Sequence, residues 1–286
     1  MRGGSGVGLA LLALGGCSLL TEIPDDVRAG GGDAPEGGAS TDAAARDDSV
    51  APSPTDASMA DAFSGVEGGI DGGAPSAVAL DAIGPTKAGA GGEATTSPLV
   101  WSHTTSGTNR ALFVTVTVSA DPDTDVNVTS VQYGEASLSL VGIQHTNNKD
   151  AGYTTLWAVA SPAAGAHSVT VTFTGAPYLV LAGSISFTGV DQATPFRNVE
   201  KAGGASDRAR LEVTSAPNDM VVTALASGCS VRDTTDYVGW VRNVTCAAGA
   251  GNAAQSAFAG APSVDVRYSI EADWWGVVAA DVKAAP

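Results

Sequence analysis

Basic residues are scarce in this 286-residue chain, with 14 Lys and Arg against 30 Asp and Glu and a net charge of −16. Divided at residue 92, both parts remain net negative. Neither offers the positive surface that phosphate-backbone binding needs, so nucleic acid is excluded as a partner. Charge alone would not hold either part on an anionic membrane. Cysteine and histidine are rarer still, three of each. His103, His145 and His167 fall on different expected strands and loops, and two cysteines without a nearby histidine pair make no zinc ligand set. No G-x-S-x-G elbow, no repeat of roughly 40–50 residues and no amphipathic helix after residue 95 can be found. The apolar run at 7–16 is too short to span a bilayer of about 30 Å as a helix.

What the chain does have, from about residue 95 onward, is period two. Leu112, Val114, Val116 and Val118 alternate with Phe113, Thr115, Thr117 and Ser119, the pattern of a half-buried strand with one apolar face. Val169, Val171 and Phe173 repeat it, and Leu179, Leu181, Ile185 and Phe187 share one face of the next run. Further strands are expected at 99–103, 128–133, 137–144, 153–160, 211–214, 220–227, 239–243, 254–258, 264–270 and 274–283. Turn signals such as Asp121-Pro122, Asn147-Asn148 and Pro217-Asn218 separate them. About a dozen short strands predict an all-β fold for 93–286, an antiparallel β-sandwich of jelly-roll or extended immunoglobulin-like type.

The stretch before it differs. Residues 17–92 are built from Gly, Ala, Asp, Ser and Pro, with Phe63 as the lone aromatic. Such a composition buries too little apolar surface to offset backbone ordering, and predicts a disordered acidic tether. About 70 flexible residues reach roughly 45–50 Å. The weak run at 77–83 suggests no more than a helical turn.

Residues 1–16 have the form of a signal peptide: Arg2, then the apolar run, then small residues. Leu14-Gly15-Gly16-Cys17 resembles the lipobox of bacterial lipoproteins. That resemblance implies cleavage before Cys17, a diacylglycerol on its thiol and export to the envelope, and Ser18 is compatible with sorting to the outer membrane or cell surface. The head is similar to a β-sandwich module of bacterial secreted and surface proteins, through T-S-G-T-N-R-A-L-F-V-T-V (105–116), V-T-S-V-Q-Y-G (128–134), L-W-A-V-A-S-P-A-A-G-A-H-S-V-T-V (156–171) and I-S-F-T-G-V-D-Q-A-T-P-F (185–196). This likeness implies binding rather than catalysis.

In an oxidising compartment Cys229 and Cys246 are expected to pair, closing a loop worth about 3 kcal/mol in the chain-entropy model; the alternative is two buried thiols. Asp121, Asp123 and Asp125 could converge on Ca²⁺ as the one cofactor in view, although Val126 and Gln132 break the EF-hand pattern; the alternative is a polar turn. Glu135, Glu200, Glu212 and Glu271 sit in no glycosidase motif and are expected as solvated edge charges. Trp274 and Trp275 are adjacent on one strand and must face opposite ways. Val278 and Val282 accompany Trp274, which predicts that ring inside and Trp275 outside. With Tyr237 and Trp240, Trp275 forms the expected aromatic site for a glycan. The sequence therefore predicts an envelope-anchored, non-catalytic binding module for a glycan or surface protein. A structural envelope protein and a hydrolase are the alternatives.

Overall fold

The structure, a computed structural model, describes residues 76–88, 96–232, 238–246 and 249–286. Cys17, Tyr237, the expected signal peptide and most of the expected tether lie outside these residues.

Among the described residues the strands are Ala79–Ile83 (β1), Lys87–Ala88 (β2), Leu99–Thr105 (β3), Ala111–Ser119 (β4), Asn127–Tyr133 (β5), Ala136–Ser137 (β6), Ser139–His145 (β7), Tyr153–Ala160 (β8), Gly165–Thr174 (β9), Leu179–Thr188 (β10), Phe196–Val213 (β11), Met220–Ser227 (β12), Val238–Asn243 (β13), Asn252–Ala259 (β14) and Val264–Val282 (β15). They form three antiparallel sheets. The central sheet runs β1-β10-β4-β8-β7, with β2 also on β10. A second runs β3-β9-β5-β6, and a third β11-β15-β12-β14-β13. The fold is thus all-β and antiparallel, two sandwiches that share their middle sheet.

The sharing explains why β4 is buried along its whole length. Leu112, Val114, Val116 and Val118 pack against Trp101, Val169, Val171 and Phe173 of the second sheet. Phe113 points the other way, into a core with Leu181, Phe187, Val222 and Val278 that joins the central sheet to the third. Period two was therefore legible, but its meaning was not: the hydroxyl-bearing face of β4 lies under another sheet rather than in water. Its hydroxyls are only partly satisfied there: Thr115 Oγ1 is buried with no hydrogen-bond partner. Thr117 does bond locally, donating to the Thr154 hydroxyl at 3.1 Å.

The stretch expected as tether contains part of the folded head. β1 pairs with β10 from Ala79↔Thr188 to Ile83↔Ile185, and Val78 beside it is buried in the core. It is a strand, not a helical turn. Its alternation is too weak to stand out because its burial is partial along most of its length.

β11 and β15 form a long hairpin with a register shift at Ser206/Arg208. One half pairs within the third sheet. The other half folds back over β12, placing Val266, Tyr268 and Ile270 on Val221 and Leu225. This third core has no sequence signature of its own, because a hairpin covering its own sheet depends on a bend. Cys229 and Cys246 form a disulfide beside it, spanning 17 positions.

Candidate functional site

The second sheet is narrower than the sheet it covers. It ends at β5 and the two-residue β6, while the central sheet continues through β8 to β7. The overhang leaves a groove of about 390 Å³. Val126 and Val128, Leu140 and Ile143, and Tyr153 and Trp157 supply its apolar wall, and Asp123, Thr124, Asn127, His145 and Thr155 its polar groups.

A register shift builds that wall. Leu140 opposes Trp157 and Gly142 opposes Leu156, so one extra residue is inserted into β7 between them. Without it, strict alternation would place Leu140 and Ile143 on opposite faces. With it, Leu140, Ile143 and His145 share the groove side, while Val141 packs on the core joining the central and third sheets. Leu140 is 48% exposed and Ile143 36%. Trp157 is half-buried and donates its indole N–H to the Thr155 hydroxyl at 2.9 Å.

At one end of the groove two connections meet. The turn Asp123–Asp125 after β4 and the turn Thr146–Asn148 after β7 are joined by Asp123 N–H donating to the Asp150 carbonyl at 3.1 Å. Thr146 ties its loop with bonds to the Ala151 and Gly152 carbonyls. The third sheet braces the loop from behind. Gly203 and Gly276 are register partners, and a Cβ on either would lie within about 3 Å of the His145 carbonyl. Only glycine admits so close a backbone approach.

Asp123 is drawn inward here, its side chain wholly buried, and its Oδ2 lies 2.7 Å from His145 Nδ1. Oδ1 is buried with no hydrogen-bond partner. Burial pushes the Asp123 carboxyl above the usual range; His145 and the Gly152 N–H pull it down, and Asp150 pushes it up again. The His145 ring leans on Tyr153 at 5.5 Å. Burial raises the Tyr153 phenol to about 12, and its hydroxyl donates to the Val126 carbonyl at 2.9 Å.

The three aspartates of D-P-D-T-D do not converge. Asp121 and Asp125 are exposed while Asp123 alone turns in. Its neighbours are instead His145 and Asp150. Glu135, Glu200, Glu212 and Glu271 are exposed, as their lack of any motif suggests.

The expected aromatic site is not at the surface. Trp275 is 8% exposed, sits in the third core, and donates its N–H to the Ser206 hydroxyl at 3.0 Å. The folded-back hairpin covers its face, and Gly204 leaves room for its ring. Trp274 is the more exposed of the two, reversing the expected order of exposure. Trp240 is also 8% exposed; it fills the gap at Gly183 and donates to Gln255 Oε1 at 3.0 Å. Tyr237 falls outside the described residues. Trp157 is the tryptophan that sequence reasoning overlooked. Gly142, a lone glycine within a strand run, was the signal for the bulge that opens the groove beside it.

A second histidine cluster is closed. The Trp101 indole N–H donates to the Ser184 hydroxyl at 3.1 Å, and that hydroxyl lies 2.9 Å from His103 Nδ1. His103 Nε2 lies 2.9 Å from the Ser186 hydroxyl, which donates to Asp81 Oδ2 at 2.8 Å. Asp81 also receives Ser106 N–H at 2.9 Å and the Ser106 hydroxyl. One proton placement satisfies this chain: a neutral ring, protonated on Nε2. Burial lowers His103 to about 4, with Asp81 pulling upward. Burial opposes ionisation of Asp81, but its serine hydrogen bonds outweigh it and hold the carboxyl below the usual range. The serine between imidazole and carboxylate gives its proton to the carboxylate, and both serines are fully buried. That order is not a nucleophile–base–orienter relay.

No helix of the described residues is long and apolar enough to cross a membrane. Comparison with protein-family models, with curated proteins and with solved structures found no match.

Proposed function

We propose that this protein is a non-catalytic binding module of the bacterial envelope, anchored by lipid on Cys17, with the groove beside Trp157 as its ligand site. The observation that carries the reading is the pairing of an apolar wall left in solvent with polar groups at one end. A saccharide ring presents CH groups on its face and hydroxyls at its rim, and this groove offers a partner for each. The wall is Trp157, Leu140 and Ile143; the polar end is Asp123, His145 and Asn127. Among the described residues no hydroxyl or thiol is hydrogen-bonded to the second ring nitrogen of His145, which argues for binding over nucleophilic catalysis.

A second reading has its own support. β7 is the outermost strand of the central sheet and carries the exposed Leu140 and Ile143. A segment of a surface protein could add to that edge as a further strand.

The test is a glycan array probed with the full chain, followed by Trp157→Ala and, as a control away from the groove, Tyr178→Ala. Trp157→Ala is expected to weaken glycan binding by about tenfold or more, the scale of an aromatic hot spot, while Tyr178→Ala leaves it unchanged. Glycan binding that survives Trp157→Ala would remove the groove from the reading. For the anchor, Cys17→Ser is expected to move the protein from membrane to soluble fractions, since the acyl chains supply the attachment. Retention of that variant in membranes would refute lipid anchoring.

A further inference from the structure

We propose that Asp123, His145 and Asp150 form a binding site for a divalent transition-metal ion of the Zn²⁺ class, with its open position facing the groove. The three residues each offer a ligand atom, and these atoms lie within 4.8 Å of one another. Ligation of an ion at about 2.0–2.2 Å replaces the 2.7 Å contact between Asp123 and His145 by two bonds to the metal and draws in Asp150, which is exposed.

The unsatisfied Oδ1 of Asp123 is the independent sign of a missing partner. A buried carboxylate oxygen without a hydrogen bond carries a desolvation cost that protein structures rarely leave uncompensated. This one belongs to a fully buried side chain whose other oxygen already touches His145. A cation between the three residues would give the Asp123 carboxylate a further partner and lie between it and the Asp150 carboxylate.

The ligand set chooses the ion. Ca²⁺ takes six to eight oxygens and has no use for an imidazole. Three protein ligands are the number at which zinc keeps a position for water or ligand, and the imidazole nitrogen favours a transition metal over Ca²⁺ or Mg²⁺. His145 and Asp123 both line the groove, so that position opens toward it. The ion would hold a hydroxyl or carboxylate of whatever the groove receives. That last step rests on the proposed function; the ion site itself does not.

The experiment is calorimetric titration of the chelator-stripped full chain with ZnCl₂, and separately with CaCl₂. The wild type is expected to take up one Zn²⁺ with a rise in melting temperature, and not to take up Ca²⁺ at this site. Asp150→Asn and His145→Gln are expected to weaken Zn²⁺ binding by about tenfold or more, with the metal-free melting temperature of Asp150→Asn unchanged because that side chain is exposed. No Zn²⁺ uptake by the wild type, equal uptake by the wild type and Asp150→Asn, or Ca²⁺ uptake that these variants abolish would each overturn the proposal. Zn²⁺ binding lost in Asp150→Asn with glycan binding intact would separate the ion site from the groove's ligand. Glycan binding lost in Trp157→Ala with Zn²⁺ binding intact would do so from the other side.

Discussion

His103 and His145 each stand near an aspartate, and the structure treats them in opposite ways. His103 is 2% exposed, sealed between the central and second sheets, with both ring nitrogens in hydrogen bonds to serines. Even the backbone closes over it: a Cβ at Gly84 would collide with Ser184 Oγ and His103 Nδ1. His145 sits where the second sheet runs out, and its aspartate has an oxygen with no partner. The first network is saturated and therefore structural. The second is incomplete within the protein, which is the condition for something else to bind. Charge and residue type are nearly the same in the two places, and sheet width makes the difference.

The closed network can be broken most severely by deleting the strand that brings its carboxylate. A chain beginning at residue 93 lacks Asp81, Val78 and all of β1. Compared with one beginning at residue 76, it is expected to lose more than about 4 kcal/mol in urea unfolding, or to fail to fold. Equal stability would mean that β1 contributes nothing to the head.

Acid is the next test. Folded His103 holds its proton only below about 4, against 6.5 in the unfolded chain. Between those values the unfolded state binds the proton and the folded state does not. Stability is therefore fully present above pH 6.5 and is lost as pH falls toward 4, by about 3 kcal/mol. Chemical denaturation across that window in the wild type and His103→Gln checks this, the variant being expected to show a flatter profile. An unchanged profile in the variant would assign the acid sensitivity elsewhere.

Ser186→Ala is a smaller lesion in the same chain. It strands His103 Nε2 and one bond of Asp81, and is expected to cost about 2 kcal/mol by thermal or urea unfolding. Asp123→Asn sharpens the contrast from the other side. Because burial raises the Asp123 carboxyl, its ionised form disfavours the folded state near neutral pH. The amide is therefore expected to leave stability unchanged or raise it by up to about 1 kcal/mol at pH 7, measured by the same unfolding curves. A loss of several kcal/mol would make Asp123 structural, like His103.

Much of the fold was legible because strands announce themselves through alternation. The runs at 153–160 and 220–227 match β8 and β12 to the residue. The first half of β11 did not announce itself: Lys201-Ala202-Gly203-Gly204 has no apolar alternation, since its glycines serve the approach of Gln144, His145 and Trp275. Trp275 was misplaced for a related reason. Counting faces along β15 identified the Val278 and Val282 face correctly as core, but the opposite face is also buried, by a bend that no local pattern encodes. The site was the least legible part. Asp123 was singled out for its neighbours in sequence, whereas its partners in space come from the β7–β8 loop. The groove exists because one sheet is narrower than another, a property of topology.

Both histidines can be read in a single measurement. Histidine ring resonances of the full chain, followed by NMR as ZnCl₂ is added, report each site separately. The His145 signals are expected to shift or broaden with the first equivalent while those of His103 stay in place. A response at His103, or silence at His145, would contradict that expectation.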